Sequence, residues 1–487
     1  MHRQPRRPRT IPWSLEGLEV RQLLSVAPAH PRAALIGRME HRLATLAAAI
    51  QDATSGRHAL MAQSDALSQR IDTLSTRLHA ARLKAARREL AASIAGTIHP
   101  NRGLTIRPMV DDGDIIDVNP IVSDPNTASG LLDYFPSQVR KAYGIDQIAN
   151  QGQGVTIAIV DAFDNPNIAS DLATFSATFG LPQMDGLNGN PTFTKQKIGN
   201  PRGNTGWGEE IALDVEWVHA MAPKANILLV EATTNSNANL YAGVRTAAAA
   251  AGVVAVTNSW SGGESSTEAS NDATTFSTPS GHTPVSFFFS AGDSGAIAPY
   301  GGPQYPSVSP NVVSVGGTAL YTKTAAGKYW YESAWGRYIG TSTQEGGGGG
   351  MSAYEPVPTY QTGLGYARRA TPDISLLADE YTGVAVYDTY ESNGGGWYQI
   401  GGTSLASPAL AAIVGIADSI RLGNGLAMLD TNAILTRSYG VYGTPAYATV
   451  FHDITLGNNG YAAATGYDLA SGLGTPYGPA FVQLLSS

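Results

Sequence analysis

The sequence predicts an α/β protein, a parallel sheet with helices on both faces, preceded by an α-helical hairpin or short coiled coil. Three observations predict it. From residue 131 onward, apolar runs recur at 155–160, 226–231, 253–257, 284–290 and 311–316, the pattern of strands buried on both faces. Between them lie helical stretches such as 207–221 and 239–251, and strands alternating with helices assemble into a parallel sheet. Upstream, Met39, Leu43, Leu46 and Ile50 step by 4, 3 and 4, and so do Leu67, Ile71, Leu74 and Leu78, with Ser55-Gly56 between the two sets. That is two helices and a break.

Taken in order, residues 1–30 are expected to form an export- or sorting-like segment and residues 31–97 the helical hairpin, or a prosegment that masks the active site. The segment begins with Arg3, Arg6, Arg7 and Arg9, but charges interrupt residues 15–25, so it lacks the apolar core of a standard signal peptide. Residues 98–130 hold Pro, Asn, Asp and Gly without periodicity and read as an exposed linker. Residues 131–487 form the main domain.

Charge divides along the same lines. Residues 1–110 carry 17 Lys and Arg against 7 Asp and Glu, whereas the remainder carries 14 against 32. The basic arm has no interleaved aromatics or nucleic-acid motif, so no nucleic-acid partner is expected. It could instead dock on the acidic domain, or drive self-association through its helices. There is no cysteine, which excludes disulfides and thiol chemistry. No apolar run is expected to reach the ~18 residues of a membrane span.

Three segments carry candidate chemistry. Gly402-Thr403-Ser404-Leu405-Ala406-Ser407-Pro408 places Ser404 in the first turn of a helix, where orphan N–H groups favour developing negative charge. Its ordinary alternative is a helix cap at Thr403 or Ser404. On 207–217, Glu210 and Asp214 are i and i+4 and share one helix face; the alternative is an acidic solvated face with Glu209 and Glu216. Ser290-Ala291-Gly292-Asp293-Ser294-Gly295 comes after the run 285–289 and delivers Asp293 to the carboxyl edge of a buried strand; the alternative is an Asp in a turn.

These segments, in this order, resemble the sedolisins, the serine-carboxyl peptidases of the subtilisin-like superfamily. The resemblance runs from about Tyr134 to the C-terminus and includes Phe135-Pro136-Ser137 and Thr371-Pro372-Asp373-Ile374-Ser375. It implies a subtilisin-like peptidase domain in which Ser404 is the nucleophile, Glu210 the general base and acid, Asp214 its orienting partner and Asp293 an oxyanion-hole residue. A donor Asp293 must keep its proton, so activity is expected well below neutral pH. Asp161, ending the run 155–160, and Trp260 of Ser259-Trp260-Ser261 are expected as an outer, hydrogen-bonded network. The histidines after residue 130 are His219, His282 and His452, none in a His-Gly-Thr segment, which disfavours a Ser-His-Asp mechanism. The five glycines Gly346 to Gly350 read as a flexible loop, which the resemblance places near the rim of the substrate cleft.

The segment from Asp453 to Asp468 is rich in oxygen donors and tight-turn residues, suited to a hard cation. Similarity to the sedolisin calcium loop implies one structural Ca²⁺ held by Asp453, Asp468 and the carbonyls of Ile454, Ala464 and Gly466, with His452 alongside; the alternative is two aspartates in Asx-turns. The expected protein is thus an acid-acting peptidase of polypeptides, endopeptidase or tripeptidyl-peptidase, secreted or in a bacterial cell envelope. The competing expectations are a catalytically silent binding or adhesion protein on a peptidase scaffold and a neutral subtilisin-like protease.

Overall fold

The computed structural model describes residues 134–324, 326–390 and 395–487, with the backbone of Ile116–Asp117. The expected segment 1–30 and hairpin 31–97 lie outside the described residues. Within the stretch read as a linker, Ile116–Asp117 pairs antiparallel with Tyr398 and Gln399.

The main sheet is built from β1 (Thr156–Ala162), β2 (Phe193–Lys197), β3 (Asn226–Ala232), β4 (Val253–Asn258), β5 (Ser286–Ser290), β6 (Val313–Thr322), β7 (Tyr329–Ala334) and β8 (Ile374–Leu377). Its order is β8-β6-β5-β4-β1-β3-β2, all parallel, with β7 returning antiparallel on β6. The five expected strands all form. Sequence pattern did not reveal β2, whose residues are mostly half-buried or exposed, nor the four-residue β8.

The helices are α1 (Pro136–Ala142), α2 (Ile168–Phe179), α3 (Thr205–Met221), α4 (Asn237–Ala248), α5 (Ala269–Thr275), α6 (Thr403–Gly423), α7 (Thr431–Val441), α8 (Tyr447–Val450) and α9 (Gly478–Ser486). They cover both faces, as β1 makes plain. Ile157 and Ile159 pack with Leu410 and Ile413 of α6 and Ile211 of α3. Ala158 and Val160, pointing the other way, pack with Leu240 and Val244 of α4. The continuous apolar run of β1 results from having no wet face.

At 21 residues, α6 exceeds the expected length of any apolar run and meets the minimum for a membrane span. Here it is a core helix, buried from Thr403 to Ser419 against the sheet and α3. A two-stranded hairpin, β9 (Val384–Asp388) and β10 (Gly396–Ile400), lies beside α3. The chain leaves β1 for β2 and β3 on one side and β4 on the other, so connections diverge around β1. In parallel sheets the carboxyl edge at such a point is where ligands sit. Asp161, Ser259 and Asp293 all emerge there, from β1, β4 and β5.

Candidate active site

Helix α3 opens with the Asn204 side chain accepting the Trp207 N–H at 3.0 Å. From Trp207 to Met221 every residue is buried, including Glu209, Glu210, Asp214 and Glu216. There is no solvated acidic face, because α2, α6, β1 and β9 close around the helix. Glu216 Oε2 takes the Tyr387 N–H at 2.9 Å. Glu210 and Asp214 stand one turn apart, near enough for the charge of Glu210 to act on Asp214. The Asp214 carboxyl is pushed well above the usual range, chiefly by burial and then by the charges of Asp161 and Glu210.

Helix α6 packs against α3 and begins without a cap of its own. Its N-cap is Gly402, at φ +99°, not Thr403 or Ser404. The cap acceptor comes from Asp293: its Oδ1 accepts the Thr403 N–H at 2.7 Å and the Thr403 hydroxyl at 2.6 Å. Thr403 Oγ1 in turn accepts the Gly292 N–H at 3.1 Å. Thr403 thus locks the Asp293 loop to the start of α6, a role that sequence reasoning missed although the residue stands in the motif.

Asp293 Oδ2 is buried and has no hydrogen-bond partner among the described residues. Burial raises this carboxyl from 3.8 to about 7, against the Thr403 hydrogen bonds that pull it down. A proton on Asp293 therefore sits on Oδ2, since Oδ1 is engaged twice as acceptor. A Cβ at Gly402 would stand 2.8 Å from Oδ2 and 3.6 Å from Ser404 N. Glycine leaves that space open, and two donors flank it: a protonated Oδ2, and the Ser404 N–H, which lies in the first turn and has no intrahelical acceptor.

Ser404 is buried, and its Oγ has no hydrogen-bond partner among the described residues. Its carbonyl is left free by Pro408, which lacks the N–H that would bond four residues back. Ser259 fills that gap: its Oγ lies 3.3 Å from the Ser404 carbonyl and 2.9 Å from Asp214 Oδ1. One hydroxyl hydrogen serves both acceptors unless Asp214 is itself protonated, which the raised Asp214 carboxyl favours. The proline of the motif thus ties the Ser404 helix to the acid pair of α3.

Trp260 Nε1 donates to the Val160 carbonyl at 2.8 Å, the residue before Asp161, and not to the Asp161 carboxyl. The indole packs edge-on against Phe289, ring centres 5.0 Å apart. Its hydrogen bond is spent on the backbone because the ring lies on the α4 side of the sheet with Val160, whereas Asp161, next along β1, acts electrostatically on Asp214 of α3. His219 Nε2 contacts the Pro182 carbonyl at 2.9 Å, and burial lowers the ring to about 4. His452 stacks on Tyr329 at 3.9 Å.

The glycine run is not a loose loop. Gly346 N–H donates to the Asp293 carbonyl at 2.8 Å, Gly348 N–H to Gly292 at 2.6 Å, and Gly295 N–H to Gly346 at 2.7 Å. A Cβ at Gly348 would meet the Ala291 carbonyl oxygen at 1.9 Å. The glycines let two backbones touch and pair, fixing the Asp293 loop from its second side.

In the C-terminal loop, Asp453 Oδ1 and Oδ2 accept the Gly466 N–H at 3.0 and 3.1 Å. Asp468 Oδ2 accepts the Ala464 N–H at 2.8 Å, and its Oδ1 takes the N–H groups of Ala470 and Ser471, both at 2.8 Å. Both carboxyls therefore address the same short stretch, 464–466. Neither has an ion-pair partner among the described residues. No group of three or more acidic or imidazole side chains is placed for a metal among them either, so a cation here would rely on carbonyls. Two carboxylates and glycine-exposed carbonyls fit a hard, oxygen-seeking ion.

With this geometry in hand, the comparisons decide the family. The subtilase family profile matches residues 198–443, half of the chain. The chain belongs to the subtilase family, on its sedolisin branch. Kumamolisin of Bacillus sp. (strain MN-32) is 31% identical over 390 residues, covering 72% of this chain and 63% of kumamolisin. Sedolisin of Pseudomonas sp. (strain 101) is 38% identical over 183 residues, 35% of this chain and 28% of that protein. The chain thus spans less than two thirds of the length of these curated relatives. Among solved structures, Pseudomonas sedolisin, a serine-carboxyl proteinase complexed with two molecules of pseudo-iodotyrostatin, superposes with a TM-score of 0.61 at 26% identity, covering 72% of this chain and 97% of that one. A subtilase-like sheet with helices on both faces is therefore the fold of this sedolisin-branch chain.

Proposed function

We propose that this chain is an acid-acting serine-carboxyl peptidase that hydrolyses polypeptides. Ser404 Oγ attacks the scissile carbonyl carbon and passes its proton to Glu210, which returns it to the leaving amine. Water then cleaves the acyl–Ser404 ester with the same pair in reverse. Asp214 orients Glu210 and shares its proton, the part an aspartate plays beside histidine in the familiar triad. The neutral Asp293 carboxyl and the Ser404 N–H stabilise the oxyanion.

The observation that carries this reading is the Asp293 carboxyl. Its Oδ1 is occupied by Thr403, and its Oδ2 stands unpartnered beside the first turn of the Ser404 helix. An ionised acid there would repel an oxyanion, so the arrangement asks for a proton and hence for low pH. In the described structure Ser404 makes no hydrogen bond to Glu210, and such contacts commonly tighten only when substrate binds.

Asp453, Asp468 and the carbonyls of Ile454, Ala464 and Gly466 would hold one Ca²⁺, whose contribution is to neutralise the two carboxylates and brace the C-terminal loop. Replacing Ser404 by Ala tests the assignment: peptide cleavage at pH 4 should disappear while the circular dichroism spectrum stays unchanged. Undiminished cleavage would remove Ser404 from the mechanism.

A further inference from the structure

The parallel register of β1 and β3 sets Asp161 directly beside Glu231, and both are fully buried. On its other side Asp161 is near enough to Asp214 for its charge to act there. Three carboxyls therefore run in a row from the helix of Glu210 to the carboxyl edge of the sheet. Among the described residues, the row meets a cation only at its outer end. Lys195 Nζ, on β2, lies 2.9 Å from Glu231 Oε1 and also pairs with Asp164, whose other oxygen holds Lys197 at 2.8 Å. Asn165 joins this end to α3: its N–H donates to Glu231 Oε1 at 3.0 Å and its side-chain amide to the Gly208 carbonyl at 3.0 Å, two residues before Glu210.

The row cannot be ionised throughout, because neighbouring buried acids raise one another's proton affinity. Neither oxygen of Asp161 has a hydrogen-bond partner among the described residues. An ionised Asp161 would be buried with no protein donor or cation beside it among the described residues, a costly state for a carboxylate. Glu231 has both a cation and a backbone donor. Burial raises both carboxyls, Asp161 to about 8 and Glu231, which Lys195 and the Asn165 N–H pull back down, to about 7, so negative charge settles on Glu231 before Asp161 gives up its proton.

We propose that Glu231, held by Lys195, is a positioning residue that keeps Asp161 neutral and so sets the pH at which the Glu210–Asp214 pair gives up its proton. The proposal rests on the carboxyl reading of the active site. The groups facing Glu231 are Lys195 on β2, Asp161 on β1, and Asp164 and Asn165 after it; Lys197 adds positive charge beyond Asp164. Those facing Asp161 are Glu231 and, from α3, Asp214 with Glu210 beside it. Burial and the Glu231 charge both hold the Asp161 proton in place. If Glu231 loses its charge, Asp161 ionises more readily. Its new charge then tightens the proton on the Glu210–Asp214 pair, and Glu210 becomes available as a base only at higher pH.

The test uses the full chain, activated by acid incubation, and the kcat/KM–pH profile with quenched fluorogenic peptides. In Glu231→Gln the ascending acid limb should move to higher pH by about one unit. Lys195→Gln, at a partly exposed position, should move it the same way, because an unpaired Glu231 takes up a proton. This second variant keeps the test open if Glu231→Gln fails to fold. Both shifts should vanish when the substitutions are made together with Asp161→Asn. A limb that stays in place in the folded single variants, or that shifts equally in the Asp161→Asn background, overturns the proposal. Ser404→Ala separates the two claims: if it abolishes activity while the limb does not move, the relay fails and the nucleophile stands. If it leaves activity intact, the reading of the site itself fails.

Discussion

Asp293→Asn separates the proton of the Asp293 carboxyl, the proposed oxyanion donor, from its shape. The amide keeps an oxygen for the two Thr403 donors, now at 2.7 and 2.6 Å, and puts a permanent N–H donor where Oδ2 stands. In the wild type the donor exists only while the carboxyl is neutral, and its proton is held to about pH 7. At pH 6 about nine tenths of the molecules carry it, and at pH 8 about one tenth. The wild-type kcat/KM should therefore fall nearly tenfold across that interval, whereas Asp293→Asn should show no descending limb there. Asp293→Ala, which removes the donor altogether, should lose about 10²–10³ in kcat at pH 5. Stability carries the same signature. Folding raises this carboxyl from 3.8 to about 7, so its contribution is complete below about pH 4 and is lost as pH rises through about 7. The whole interval amounts to roughly 4 kcal/mol. The melting temperature of Asp293→Asn relative to wild type should accordingly be higher at pH 8 than at pH 4. A descending limb near pH 7 that survives in Asp293→Asn would refute the reasoning, because the titrating group would then be another one.

Three further outcomes are expected. Chelation should lower the melting temperature of the wild type but not of Asp453→Ala, and Ca²⁺ at about a hundred times its Kd should restore about 2.7 kcal/mol, read by thermal denaturation; equal melting with and without chelator would dismiss the ion. Gly348→Ala should lower the urea midpoint by the equivalent of about 2–3 kcal/mol or prevent folding, since its Cβ would meet the Ala291 backbone at 1.9 Å. Gly363→Ala, with no atom within 4 Å of the added carbon, should leave the midpoint nearly unchanged.

Much of the fold was legible because it is written in local pattern. The uninterrupted apolar runs of β1, β3, β4 and β5 reflect strands with no wet face, and that property needs no knowledge of neighbours. The half-exposed β2 and short β8 escaped because they lack such a run and exist only through pairing with β3 and β6. The glycines 346–350 misled in the opposite direction: glycine signals either freedom or close approach, and only the packed partner at 291–293 distinguishes them.

The chain's local order settles which side chains are available: Glu210 and Asp214 share a face because a helix repeats every 3.6 residues, and Ser404 heads a helix whose proline stands four residues on. Their states were settled elsewhere. Whether four acids on α3 face water or protein, whether Asp293 meets Thr403 across 110 residues, and whether Asp161 stands beside Glu231 all depend on how distant strands and helices come together. Proton affinity is set by burial and neighbouring charge, and both belong to the assembled molecule rather than to any stretch of it.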